Sequence, residues 1–195
     1  MPISSHELKF FKTNFFVETG SAGLGWGINS AIIAGFNKIY SVEINPIAYN
    51  ECKEIFKNEP KVNLTLGDCG TWLDITLNKL KEQCTIFLDA NGWYGETESP
   101  FHSSIDAIVR HGGKNHLILV DDQNHGHRKT NELINDLKNP ECDIIKELKR
   151  INSDYTFYLI DTNSEDLKNH WTSWVLVADP VKNRILPHNM NKATV

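Results

Sequence analysis

Basic charge is in short supply in this chain. Twenty Lys and Arg stand against 25 Asp and Glu, a formal charge of -5 over 195 residues, so there is no cationic excess to neutralise a phosphate backbone and nucleic acid is not expected as a partner. Cysteine is scarce too. Cys52, Cys69, Cys84 and Cys142 lie at least 15 positions apart with no CxxC pair, which excludes a disulfide-stapled scaffold and leads us to expect reduced thiols in a cytoplasm. No stretch approaches the ~18 uninterrupted apolar residues of a membrane span. The opening MPISSHELKFFKTNFF has charges breaking up its apolar residues, so neither an export signal nor a membrane partner is expected. Internal repeats, low-complexity tracts and linker-like segments are also missing. What is present, with 40% hydrophobic residues, is one domain over residues 1–195, long enough to bury a full core.

Two kinds of segment alternate along it. Short β-rich runs occur at Phe15 to Val17, Lys38 to Val42, Val62 to Leu66, Thr85 to Leu88, His116 to Val120, Tyr155 to Ile160 and Trp174 to Ala178. Most are continuously apolar, the pattern of strands buried on both faces. Between them lie helical patterns with start signals. Asn45-Pro46 offers an N-cap and a proline at the first helical position, followed by Ala48, Cys52, Ile55 and Phe56 on one stripe. Ser99-Pro100 repeats the device ahead of Phe101, Ile105, Ile108 and Val109. A third helix is predicted from Thr71 to Leu80, and helical sequence after Arg128 is divided at Asn139-Pro140. The alternation predicts an α/β fold: a doubly wound, mostly parallel seven-stranded sheet with helices on both faces and a C-terminal antiparallel hairpin. Right-handed crossovers then bring every strand-to-helix loop to one edge of the sheet, the usual binding edge.

The chemistry-bearing residues fall at that edge. Gly20, Gly23, Gly25 and Gly27 lie between the first strand and the first crossover helix, where glycine permits a tight turn and close approach of a ligand to helix N–H groups. The second strand ends IYSVEINP, with Glu43 placed 23 residues beyond Gly20 to accept hydrogen bonds from ribose hydroxyls. The third ends LTLGDCG, where the Asp68 carboxylate and the Cys69 backbone N–H can read an adenine. Asp89 ends TIFLDA, and 32 residues later Asp121-Asp122 ends HLILVDD. Three carboxylates there, with room for water, suit Mg²⁺ or Ca²⁺. The glycines also have a plainer reading as a flexible turn, Glu43 as a solvated strand end and Asp121 as a cap on the next turn.

VETGSAGLGWG, VEINP, GDCGTWL and FLDANGWYG together resemble the class I S-adenosylmethionine-dependent methyltransferases over most of the chain. Glu18 and Gly20 fit the family's glycine motif, although the later glycines depart from its strict GxGxG spacing. The resemblance implies a Rossmann-like methyltransferase fold, S-adenosylmethionine as cofactor, and cofactor contacts from Glu18, Gly20, Ser21, Gly23, Glu43, Ile44, Asp68, Cys69 and Asp89. The aspartates are similar to those of the metal-dependent group around macrocin O-methyltransferase, which implies a cation on Asp89, Asp121 and Asp122 and a small hydroxylated acceptor such as a sugar or a phenol. A cation beside the acceptor would lower its hydroxyl pKa.

The resemblance leaves the general base open. Relatives of the shape LDAH carry histidine where this chain has Asn91, and asparagine takes no proton at neutral pH. His125 and His127 in DDQNHGHR are the alternatives, with Asp89 beside them and His102 as a further candidate. Trp93 and Tyr94 are candidates for the acceptor-pocket wall. No separate substrate domain fits this length, so specificity is expected from the loops around Asn91 to Phe101 and Gln123 to Asn131, from the N-terminal segment, or from a neighbouring subunit of a homo-oligomer. The rival readings are a non-catalytic module that binds S-adenosylmethionine or a nucleotide, and a nicotinamide-dependent oxidoreductase, for which the glycines and Glu43 would serve equally well.

Overall fold

The computed structural model describes residues 3–90, 100–121, 135–139, 142–161, 174–186 and 192–194. Its continuously apolar runs become strands: β1 (Phe15–Thr19), β2 (Lys38–Glu43), β3 (Val62–Leu66), β4 (Cys84–Leu88), β5 (Leu117–Val120), β6 (Thr156–Asp161) and β7 (Trp174–Asp179). An eighth, β8 (Lys192–Thr194), was not expected from its three-residue sequence KAT. The spatial order is β3-β2-β1-β4-β5-β7-β6-β8. The first five sequential strands are parallel to their neighbours, whereas β7 runs antiparallel between β5 and β6, and β8 antiparallel along β6. The predicted sheet and closing hairpin are therefore present, with one short strand added at the margin.

Helices α1 (Ser5–Leu8), α2 (Trp26–Ala34), α3 (Pro46–Ile55), α4 (Cys69–Leu80), α5 (Phe101–His111) and α6 (Asp143–Ile151) cover the two faces. Residues 135–138 are also helical, so helical sequence does stand on both sides of the Asn139-Pro140 divide. Asn45 caps α3 as expected, its Oδ1 accepting from the N–H groups of Ile47 and Ala48 at 2.9 and 3.2 Å. On one face Leu73, Leu77, Ile105, Ile108 and Leu148 pack against Val17, Ile86, Ile118 and Leu159. On the other, Ile3, Leu8 and Phe11 of the N-terminal segment join Ile28 and Ala31 of α2 against Phe16, Phe87, Leu119 and Val177. The chain's last described loop ties into this second layer. Arg184 ion-pairs with the fully buried Asp179, donates from Nη1 to the carbonyl of Phe10 at 2.9 Å and lies 5.7 Å over the Phe11 ring.

One expectation fails, at the β3 margin. β3, whose sequence VNLTL alternates in polarity, is the edge strand among the described residues, with three of its five residues exposed and none buried. Ile55, assigned to the buried stripe of α3, is 53% exposed, while Ala48 and Cys52 do face inward. A helix over an edge strand has less sheet to cover, so its apolar contact is narrower.

Candidate functional site

β1 runs two residues further than its apolar run suggested, so Glu18 and Thr19 belong to the strand and the turn begins at Gly20. Backbone hydrogen bonds fix the neighbouring strand ends level with it: Gly20 N–H to Val42 O at 2.9 Å, Asp89 N–H to Thr19 O at 3.2 Å, Asp121 N–H to Leu88 O at 3.0 Å and Gly67 N–H to Glu43 O at 3.0 Å. The carboxyl ends of β2, β1, β4 and β5 thus present Glu43, Gly20, Asp89 and Asp121 along one rim, as the sequence predicted. The sheet reverses its winding between β1 and β4, the switch point at which open α/β sheets receive ligands.

Glycine at position 20 is required by the chain itself. Its φ is +82°, and an added Cβ would sit 2.8 Å from the carbonyl oxygen of Asp89 and 2.9 Å from the Cα of Ala90. The first turn of α2 shows the same principle at Gly27, where a Cβ would fall 1.7 Å from Oε1 of Glu18. Protein backbone and a buried acid, rather than a ligand, already exclude side chains at these two positions.

Glu43 is 6% exposed and holds the turn together. Its Oε2 accepts from Ala22 N–H and its Oε1 from Asn45 N–H, each at 2.9 Å. The residue expected to face ribose hydroxyls therefore also anchors the glycine turn, with the spare lone pairs of both oxygens left for a ligand. Glu18, 1% exposed, accepts from the Ser41 hydroxyl at 2.7 Å. Burial, together with the nearby charges of Glu43 and Asp121, pushes its carboxyl up to about 8. Ser21 is 3% exposed; its Oγ has no nitrogen or oxygen partner among the described residues and meets the Cys52 thiol instead, a weak partner that leaves capacity for a ligand. Asp68 is exposed and caps α4, Oδ1 accepting from Thr71 N–H at 2.9 Å, while Cys69 is buried as the first residue of that helix. The helix accordingly starts two residues before the predicted Thr71. An Asp ahead of the small pair Cys69-Gly70 is a readable N-cap signal that the sequence analysis assigned only to ligand binding. Ile44 is 49% exposed beside Glu43.

Asp89 is half-buried and Asp121 is 5% exposed at adjacent strand ends. Asp122, His125, His127, Asn91, Trp93 and Tyr94 lie outside the described residues. Among the described residues no three His, Cys, Asp or Glu side chains are grouped closely enough to hold a metal ion. His102 is largely exposed, with its Nδ1 3.9 Å from Glu147 of α6. The pairing of Ser41 and Gly27 with Glu18 was not anticipated. Their partnership depends on strand register and helix packing, which bring together residues 23 and 9 positions from Glu18. No helix among the described residues is long and apolar enough to cross a membrane.

No protein-family model matches the chain, and no curated protein matches it in sequence. Solved structures do share its fold. Precorrin-6y C5,15-methyltransferase from Geobacter metallireducens GS-15 is 13% identical, covering 89% of this chain and 85% of its own, with a TM-score of 0.57. Fibrillarin from Aeropyrum pernix, in complex with natively bound S-adenosyl-L-methionine, is 13% identical over 87% of this chain and 68% of its own, with a TM-score of 0.54. A variant of MtNAS is 18% identical over 88% of this chain, at a TM-score of 0.54, and the present chain spans 56% of that protein's length. What they share with this chain is the Rossmann-like methyltransferase fold.

Proposed function

We propose that the chain is an S-adenosylmethionine-dependent methyltransferase that modifies a hydroxyl of a small acceptor, a sugar or a phenol. The observation that carries this reading is the rim at the switch point, where Glu18, Gly20, Ser21, Glu43 and Asp89 converge over the turn leading into α2. In this reading Glu43 receives the ribose hydroxyls, Ile44 lies along the nucleoside, Asp68 and Cys69 meet the adenine, and Gly20, Ser21, Gly23 and Asp89 meet the methionine part. The buried Ser21 hydroxyl and the spare acceptor capacity of Glu43 fit such a ligand. When bound, the cofactor supplies a methyl group made electrophilic by its sulfonium. The chain's own task is then to orient the acceptor, exclude water and accept a proton. His125 and His127 are the proposed bases, since His102 faces Glu147. The acceptor pocket would be completed by the loops around them or by a second copy of the chain.

The finer form of the proposal adds Mg²⁺ or Ca²⁺ on Asp89, Asp121 and Asp122. Two described carboxylates fall short of the six or more oxygen ligands typical of such ions, so no step above is routed through one. Titration calorimetry with S-adenosylmethionine, S-adenosylhomocysteine and NAD, with and without Mg²⁺, tests both forms. Saturable binding of the first two ligands and methyl transfer from labelled cofactor to hydroxylated acceptors are expected. Binding of NAD alone would make the chain a nicotinamide-dependent oxidoreductase, and cofactor binding without transfer a non-catalytic module. Identical cation behaviour in the wild type and an Asp121→Asn, Asp122→Asn protein would remove the metal.

A further inference from the structure

Glu18 is a buried acid for which ligand binding alone gives no full account. Ser41 of β2 donates to its Oε2. Glu43, two residues along β2, and Asp121, after β5, place negative charge near it, and α3 contributes the Cys52 thiol. From α2 comes Gly27, whose missing side chain leaves the space that Oε1 fills, and from β4 comes the apolar Phe87 ring. Among the described residues no Lys, Arg or His acts on this carboxyl group. A carboxylate in such surroundings lacks a countercharge and is disfavoured by both burial and like charge, which shifts Glu18 towards the neutral acid when no positive charge lies at the rim.

We propose that the site exchanges a proton for its ligand's positive charge: a cationic ligand entering at the rim turns Glu18 from acid to carboxylate, and the proton leaves to solvent. The inference rests on the reading of this rim as an S-adenosylmethionine site. That cofactor carries a sulfonium and an ammonium, the positive charge that the acidic cluster lacks. Only the O–H bond of Glu18 breaks. Its electron pair stays on the carboxylate, the hydroxyl of Ser41 continues to donate to it, and the released proton is taken up by buffer. An uncharged nucleoside would fill the same rim without this exchange, so Glu18 would set the preference for charged over neutral ligands.

The experiment is calorimetry at pH 7 in two buffers of very different ionisation enthalpy, phosphate and Tris. With S-adenosylmethionine the wild type should show heats that differ between the buffers by the amount for about one released proton, and its Kd should tighten roughly tenfold from pH 6 to 7. With 5′-methylthioadenosine, the same nucleoside without charge, the heats should agree. A Glu18→Gln protein, whose amide oxygen still accepts from Ser41, should bind S-adenosylmethionine with no release and a flat pH profile. Buffer-independent heats in the wild type overturn the proposal without recourse to any variant, as does equal release with 5′-methylthioadenosine or undiminished release in a folded Glu18→Gln protein. Absence of any saturable S-adenosylmethionine signal would overturn the cofactor reading itself, a result distinct from binding without release.

Discussion

Two buried titratable groups at opposite ends of the sheet should give the free protein a specific pH profile of stability. His116 precedes β5 and is 2% exposed, its Nδ1 accepting from Cys84 N–H at 3.1 Å with the His111 ring 5.3 Å away. Burial, then repulsion from His111, lowers it from 6.5 to about 4. Its unfolded form therefore binds a proton that the folded form does not, and stability is lost as pH falls from 6.5 towards 4. Glu18 acts in the opposite sense. Raised from 4.5 to about 8, it contributes stability that is fully present below 4.5 and is lost as pH rises to 8. Each group changes stability by ~1.4 kcal/mol per pH unit inside its window. From pH 4.5 to 6.5 the two slopes cancel. Above 6.5 only Glu18 remains, and the free protein should lose about 2 kcal/mol by pH 8. Urea unfolding of the wild type and the Glu18→Gln protein across pH 4 to 8.5 measures this, and the difference between the two cancels the contribution of His116 and the other carboxylates. That difference should be flat below 4.5 and then grow by ~1.4 kcal/mol per pH unit up to 8, about 2 kcal/mol of it between 6.5 and 8. In the Glu18→Gln protein the uncovered slope of His116 should make stability rise from pH 4.5 to 6.5. Parallel curves with a constant offset would refute both the burial argument and the pairing of these two groups.

Gly20→Ala should cost about 1–3 kcal/mol, because it combines a positive φ with contact against the Asp89 and Ala90 backbone, which cannot swing aside; an unchanged melting temperature would show that the turn relaxes freely. Glu43→Ala should weaken S-adenosylmethionine binding at least tenfold and also lower the melting temperature, since it releases the N–H groups of Ala22 and Asn45. Unchanged affinity would remove Glu43 from the cofactor site. Arg184→Met should destabilise by about 3–5 kcal/mol, because it strands a buried Asp179 carboxylate, and a double Arg184→Met, Asp179→Asn protein should recover part of that loss in denaturant unfolding.

The inner sheet could be read from sequence because strands covered on both sides are mostly apolar, as LILV in β5 and, but for Thr85, CTIFL in β4 are. The Asn45-Pro46 start of α3 was equally legible, since a cap acts within four residues. Ile55 of α3 was misread because periodicity alone puts it on the apolar stripe, and only the sheet's final order shows that α3 lies over the edge strand β3. The glycines were correctly placed at the binding edge, but the object that crowds them was not. Asp89 lies 69 residues from Gly20, and its carbonyl meets that position only through the β1–β4 pairing. The same register, together with the burial that follows from it, raises the Glu18 carboxyl towards its neutral form. A list of acidic residues cannot distinguish it from Glu43, whose oxygens take backbone N–H groups.

The insertion of β7 between β5 and β6 also orders events during synthesis. When β5 has just been made, its inner edge is already satisfied by β4, but its outer edge has no partner until residues 174–179 follow. For more than 50 residues of translation the nascent chain carries an apolar, unpaired strand edge of sequence LILV. β6 emerges earlier and is parallel in direction to β5, so a premature β5–β6 pairing would occupy the place that β7 must take. Correct assembly thus depends on β6 staying off that edge until β7 arrives, which makes interrupted synthesis within this interval the stage at which the chain is most exposed to self-association.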